Sequence, residues 1–230
     1  MNIHAERISK RFFRKSGQAN FFYAVEETTF DLPEKCLTLL KGRSGSGKTT
    51  LLEILGGLLT PYTGAVRAGD TDLYALPDAD LSAFRNRHVA VIPQGKAAVP
   101  SLTILENILL PRTLYGGEQA DSYRAEAEDL CRFFGISSLM NSYPAELSGG
   151  ELRRMSIVRA LIGHPDILLA DEPTGDLDDE NTRLVLEALK ERAEAGAAVL
   201  LVTHETIPDG YANRVFHMDT GRLKEGLASA

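Results

Sequence analysis

The chain has 230 residues, 43% of them hydrophobic, with a formal net charge of −7 and a pI near 5.3. That length and apolar content allow one large core with a smaller inserted subdomain. The acidic balance argues against a protein whose main work is gripping a phosphate backbone, so nucleic acid is not expected as a partner. Cys36 and Cys131 stand far apart in no metal-ligand spacing and read as reduced thiols of a cytosolic core. The longest apolar runs, such as AAVLLV at 197–202, fall short of the ~20 residues that cross a bilayer. The start MNIHAERISKRFF has no apolar signal region. A protein neither secreted nor membrane-spanning by itself is expected.

From the N-terminus, a segment rich in Phe, Tyr, Val and Thr predicts antiparallel strands. KCLTLLKG then runs into a glycine loop, HVAVIPQ ends at Gln94, DILLADE ends in two carboxylates and AAVLLVTH ends at His204. All four are short apolar runs of the kind buried on both faces of a parallel sheet. Helical patterns follow in KTTLLEILGGLL, and in DENTRLVLEALKERAEAG, which closes on Gly196. Strands alternating with helices predict a doubly wound α/β core with ligands at the carboxyl ends of the strands. From about 101 to 165 the pattern is helical without strands, which predicts an α-helical subdomain inserted in that core. RVFHMDTGRLKEG predicts a small hairpin turning at Asp219 to Gly221.

GRSGSGKT matches G-x-x-x-x-G-K-[ST] and lies where that motif works, between a strand and a helix. Its residues are Gly42, Arg43, Ser44, Gly45, Ser46, Gly47, Lys48 and Thr49, with Thr50 next. Glycines let the backbone N–H groups and the helix N-terminus face phosphate, Lys48 can reach the β and γ oxygens, and the Thr49 hydroxyl can ligate Mg2+. A plain serine-glycine turn would explain the glycines but not the lysine and threonine in that context.

Asp171, at the end of ILLADE, is placed to hold the hydration shell of a magnesium ion, and Glu172 to orient and deprotonate a water attacking the γ-phosphate. The competing reading makes both the acidic flank of the next helix, with Pro173 in its first turn. His204 and Gln94 each end a strand on the same sheet edge. His204 falls where a γ-phosphate would lie, and Gln94 can touch magnesium or water and report the state of the site to the helical segment beyond it.

The stretch LSGGELRR at 147–154 poses a different problem. Ser148 to Glu151 satisfies the capping box S-x-x-E, but a capping box needs no glycine, and each helical glycine costs up to ~1 kcal/mol relative to alanine. Gly149 and Gly150 therefore suggest that something approaches that backbone closely, as at a second anion site. With the chain's own nucleotide already held by the phosphate loop, this second site is expected to receive ATP bound to another copy.

LSGGE followed by LRRMSIVRAL, together with GRSGSGKTT, ILLADEPTGDLD and VTH, resembles the nucleotide-binding subunit of an ATP-binding cassette (ABC) transporter over nearly the whole chain. The resemblance implies a P-loop NTPase (RecA-like) core with a parallel sheet, an N-terminal antiparallel β subdomain and an inserted α-helical subdomain at approximately 96–165, all within one ABC-type domain spanning 1–230. It also implies a head-to-tail dimer with two ATP molecules sandwiched between the subunits. On that basis Ser148, Gly149 and Gly150 contact the partner's γ-phosphate, and Asp178 of GDLD lines the seam. Phe12, in ISKRF, falls where such ATPases carry an aromatic that stacks on adenine, although most have tyrosine there and Phe13 is adjacent. Two positions depart from the usual pattern, Glu151 for glutamine and Asp176 for asparagine; both leave hydrolysis plausible.

DEPTGDLD, FRNRHVAVIPQ and SLTILENILLPRTLYGG are similar to the branch that contains macrolide-exporter, lipoprotein-release, antimicrobial-peptide-resistance and cell-division ATPases. The expectation is an ATPase using ATP and Mg2+, peripheral on the cytoplasmic face of the membrane. It would dock beneath a transmembrane permease and pair with a second ATP-binding subunit, with the helical segment after Gln94 forming the receiving groove. A DNA-repair or translation cassette would need a long coiled-coil insertion or two cassettes in one chain, and a GTPase would need N-K-x-D; neither feature is found. A cell-division-type signalling ATPase remains an alternative, whereas an inactive binding module would be expected to lack Glu172 or Lys48.

Overall fold

The structure, a computed structural model, describes residues 1–13, 21–95, 97–114, 120–175, 177–205, 207 and 210–226, with backbone alone at 120–122. In chain order the strands and helices are β1 (Ile3–Phe13), β2 (Phe21–Leu32), β3 (Cys36–Lys41), α1 (Lys48–Leu55), β4 (Thr63–Ala68), β5 (Thr71–Asp72), α2 (Asp78–His88), β6 (Val89–Ile92), α3 (Ile104–Thr113), α4 (Ala120–Phe133), α5 (Gly149–Leu161), β7 (Ile167–Asp171), α6 (Asp179–Glu194), β8 (Ala198–Thr203), β9 (Arg214–Asp219) and β10 (Arg222–Gly226).

Two sheets result. One is antiparallel, in the order β2-β1-β4-β5; the other runs β10-β9-β3-β8-β7-β6, parallel from β9 to β6, with β10 antiparallel at its edge. The four apolar runs fall in β3, β6, β7 and β8. In β8, Val199 and Leu201 face the core beneath the helical segment, while Ala198, Leu200 and Val202 face the core shared with α1 and the antiparallel sheet. Covering both faces is what a continuous apolar strand requires. Cys36 and Cys131 are buried free thiols.

Between Ile92 and Ile167 the described residues form helices and short 3-10 turns, without a strand. β9 and β10 make the expected hairpin. Thr220 and Gly221 both have positive φ, at 48° and 84°, which suits a tight two-residue turn. Gly196, at φ 126°, follows the end of α6 and donates its N–H to the Ala193 carbonyl at 3.0 Å, so the helix stops where expected.

Two local expectations change. The helix after the phosphate loop ends at Leu55 rather than continuing through GGLL, because Gly57 turns left-handed at φ 70° and the N–H groups of Leu58 and Leu59 fold back to the Glu53 carbonyl. Residues 60–88, unassigned from sequence, form β4, β5 and α2. None of the described helices is long and apolar enough to cross a membrane.

Candidate functional site

β3 delivers the chain into the loop Gly42–Gly47, and α1 carries it away. A Cβ on Gly42 would stand 2.3 Å from the Met218 carbonyl, and one on Gly47, at φ 105°, 1.9 Å from the Ala24 carbonyl. β9 and β2 thus press on the loop at two points where only glycine fits. Gly45, at φ 76°, has open space beside it. No side chain caps α1, which leaves its first N–H groups free of side-chain competition for an anion.

Lys48 is buried. Its Nζ donates to the carbonyls of Gly42 at 2.7 Å and Arg43 at 3.0 Å, and stands 4.0 Å from Glu172 Oε1. The Thr49 hydroxyl donates to Asp171 Oδ2 at 2.7 Å, joining the first turn of α1 to the end of β7. Asp171 is 3% exposed, and its other oxygen, Oδ1, is buried without a hydrogen-bond partner among the described residues. Burial pushes the Asp171 carboxyl above its ordinary pKa against the opposing bond from Thr49, and the neighbouring Glu172 charge adds to the rise. A buried, half-satisfied carboxylate beside a threonine hydroxyl is an oxygen donor set that suits Mg2+, directly or through its water shell.

Glu172 follows the last residue of β7 with φ 49°, and its N–H is held by the Val202 carbonyl at 2.8 Å. Its carboxylate is 2.9 Å from His204 Nδ1 through Oε1, while Oε2 accepts from the Thr203 hydroxyl at 3.2 Å. The hydrogen bond and charge of Glu172 raise the pKa of His204, whose side chain is largely exposed. Gln94 lies two residues beyond β6, and its main-chain carbonyl accepts a bond from Arg153 at 2.9 Å.

These groups surround one pocket of about 330 Å³. Ser44, Gly45, Gly47, Lys48, Thr49, Thr50, Gln94, Asp171, Glu172 and His204 line it, together with Phe12, Phe22 and Ala24. Phe12 and Phe22 are cross-strand partners in β1 and β2 with ring centroids 6.0 Å apart. Of the phosphate-loop residues, Gly42, Arg43 and Ser46 do not line the pocket; they shape the loop beneath it. A cavity of about 540 Å³ lined in part by Arg87, Arg112 and Tyr123 is roomier but holds none of the phosphate-loop, carboxylate or LSGGE residues, so volume alone does not locate the chemistry.

Ser148, Gly149, Gly150 and Asp178 also stand apart from the pocket. The capping box at α5 forms, with Ser148 Oγ and N–H both donating to Glu151 Oε2 at 2.7 Å. Those bonds hold the Glu151 carboxyl below its usual pKa. Gly149 and Gly150 are the first two residues of α5, and neither has positive φ, so backbone conformation does not require glycine at either position. Asp178 caps α6 by accepting from the Asn181 N–H at 2.8 Å. Asp176 lies outside the described residues. The acidic-flank reading of Asp171 and Glu172 fails, because α6 begins at Asp179, several residues later.

Sequence reasoning missed Phe22, Thr203 and Arg153. The register that brings Phe22 beside Phe12 left no mark in the sequence; Thr203 stands inside VTH and Arg153 inside LRRMSIVRAL, but neither was given a role.

A phosphate loop between a parallel strand and a helix, facing two carboxylates on the next-but-one strand of the same sheet edge, defines a P-loop NTPase. The chain belongs to the ABC transporter family, whose description matches residues 25–175. It is accordingly an ATP-binding ATPase cassette. It is 33% identical over 227 residues to the ABC transporter ATP-binding protein YtrE of Bacillus subtilis, covering 98% of both chains. It is 39% identical over 185 residues to the lipoprotein-releasing system ATP-binding protein LolD of Geobacter metallireducens, covering 80% of this chain and 82% of that one. Among solved structures, the dimeric post-hydrolysis state of the ATP-binding cassette MJ0796 bound to ADP and Pi superposes with a TM-score of 0.88 at 29% identity, covering 97% of this chain and 98% of that one.

Proposed function

We propose that two copies of this chain, or one copy and a paralogue, sandwich two ATP molecules head to tail and drive a membrane permease by closing and reopening. The domain is one cassette, 1–230, with a helical subdomain at approximately 96–165 that receives the permease at the cytoplasmic face. The observation that carries this reading is a separation. Ser148, Gly149 and Gly150 lie outside the pocket that holds Lys48, Glu172 and His204, at a helix start whose backbone does not need glycine.

Phe12 would stack on the base, the loop N–H groups and Lys48 would hold the β and γ phosphates, and Ser148 to Gly150 of the partner would close over the γ-phosphate. Thr49, Gln94 and Asp171 would hold Mg2+, the last through its water shell; bound there, the ion would neutralise developing phosphate charge. Glu172 would accept the proton of the attacking water, and His204 would orient Glu172 and face the γ-phosphate. Asp178 would line the seam. The relatives named for lipoprotein release favour a permease that extracts or transmits force over a simple channel, with signalling to a cell-division partner as the alternative.

Ser44 and Ser148 are both exposed, and the two native cysteines are buried. A Ser44→Cys, Ser148→Cys protein treated with a short dithiol-reactive cross-linker should give an intersubunit product that increases with ATP. A purely intramolecular product would overturn the head-to-tail arrangement.

A further inference from the structure

Arg153 is 5% exposed, on the second turn of α5, five residues beyond Ser148. A guanidinium that deep requires polar partners. Its Nη1 donates to the Pro93 carbonyl at 2.6 Å and its Nη2 to the Gln94 carbonyl at 2.9 Å, two consecutive carbonyls on the segment leaving β6. Nη2 also lies 3.8 Å from where a Cβ on Gly175 would stand, in the turn after Glu172, and the Arg153 charge acts on Asp171. One side chain thus ties the helix that begins with the LSGGE segment to the main chain of Gln94, beside the turn that leads to Asp178.

The bonds go to main-chain atoms in a planar fork, so they hold the position and tilt of the peptide that carries Gln94 rather than one rotamer. When the start of α5 shifts to meet a phosphate, the 93–94 peptide must follow or lose both charge-assisted bonds.

We propose that Arg153 is a positioning residue that couples the two nucleotide sites of the dimer, so that a partner's phosphate received at Ser148–Gly150 sets where Gln94 stands in this chain's own pocket. This rests on the shared-site reading given above. It follows that the two ATP molecules act cooperatively, and that the cooperativity runs through α5. The coupling belongs to Arg153 and not to Gln94's own contact with ligand.

The test uses hydrogen exchange in the full chain carrying Glu172→Gln, which should hold the MgATP dimer without turnover. Ser148→Arg in the same background marks the slowing caused by the chain's own nucleotide alone. In the parent, dimerisation should slow exchange further at residues 92–95, at least about fivefold, together with slowing at 148–152. Adding Arg153→Met, or the polar Arg153→Gln if the first folds poorly, should abolish the further slowing at 92–95 and leave that at 148–152. Arg153→Lys should restore part of it. Undiminished slowing at 92–95 in the Met and Gln variants would overturn the coupling role. A Glu172→Gln parent that never dimerises would instead remove the shared site itself.

Discussion

His204 Nδ1 lies 2.9 Å from Glu172 Oε1, so the carboxylate that follows β7 is oriented by an exposed imidazole just past the end of the neighbouring strand β8. The pair is coupled by charge. The Glu172 bond raises the pKa of His204 above its ordinary 6.5, so the charged imidazole contributes stability in full below that value and loses it as pH rises through the raised folded value. Glu172→Gln removes the partner charge, and the ring-proton NMR titration of His204 should move down towards 6.5. An unmoved midpoint would show that Glu172 does not govern this histidine.

Lys48 rests on the carbonyls of Gly42 and Arg43, poised across the loop where phosphate oxygens would replace them. Lys48→Ala should weaken ATP binding by at least about tenfold, as loss of one charged hydrogen-bonding partner of about 1.5–3 kcal/mol implies. Titration with a fluorescent ATP analogue measures it; equal affinity would contradict the role.

Asp171 Oδ1 is buried without a hydrogen-bond partner among the described residues, and burial holds the carboxyl above its ordinary pKa. For an acid, a raised folded pKa means that ionisation costs stability at pH values above it. Asp171→Asn should therefore raise the melting temperature of the nucleotide-free protein, on the order of 2 °C, while raising the Mg2+ concentration that hydrolysis requires. Chelation of Mg2+ in the parent should abolish hydrolysis. A variant that melts lower and has the parent's Mg2+ requirement would argue that Asp171 is only a structural partner of Thr49.

How much of this was legible in the sequence depended on how each element is buried. β3, β7 and β8 are covered on both faces, and such strands read as unbroken apolar runs. α5 and α6 announce themselves through Ser148 and Asp178 at their N-caps. α2 does not, because Leu81 is its only buried residue and no apolar stripe forms. β4 is as long as β3, but only Val66 and Ala68 of it are buried and TGAVRA makes no apolar run, while β5 has two residues.

The phosphate loop was legible because its spacing is dictated by how a backbone wraps phosphate, and Asp171 and Glu172 because they end a buried apolar strand. Phe22 was not. Its place beside Phe12 is set by the pairing register of the first hairpin, which the alternation of aromatics left open. Arg153 was illegible for a different reason: a buried arginine carries no periodic mark, and its carbonyl partners lie some sixty residues away.

Ser148 is exposed and occupied only with its own helix cap. Ser148→Arg should lower stability by about 1 kcal/mol through loss of the cap, leave ATP binding by the monomer nearly intact and abolish ATP-driven association. Binding by fluorescence and mass by light scattering separate these effects. A variant that still associates with ATP would reduce the paired glycines to a tolerated flaw in a capped helix.

The central claim is that each ATP is held between two chains, and the most direct measurement is the mass in solution of Glu172→Gln with and without MgATP. Removing a general base should slow hydrolysis by about 10²–10⁴-fold, so nucleotide persists long enough for light scattering to report its complex. The mass should double with ATP and stay unchanged with ADP. A protein that binds MgATP, fails to hydrolyse it and stays monomeric, with or without a permease, would contradict it.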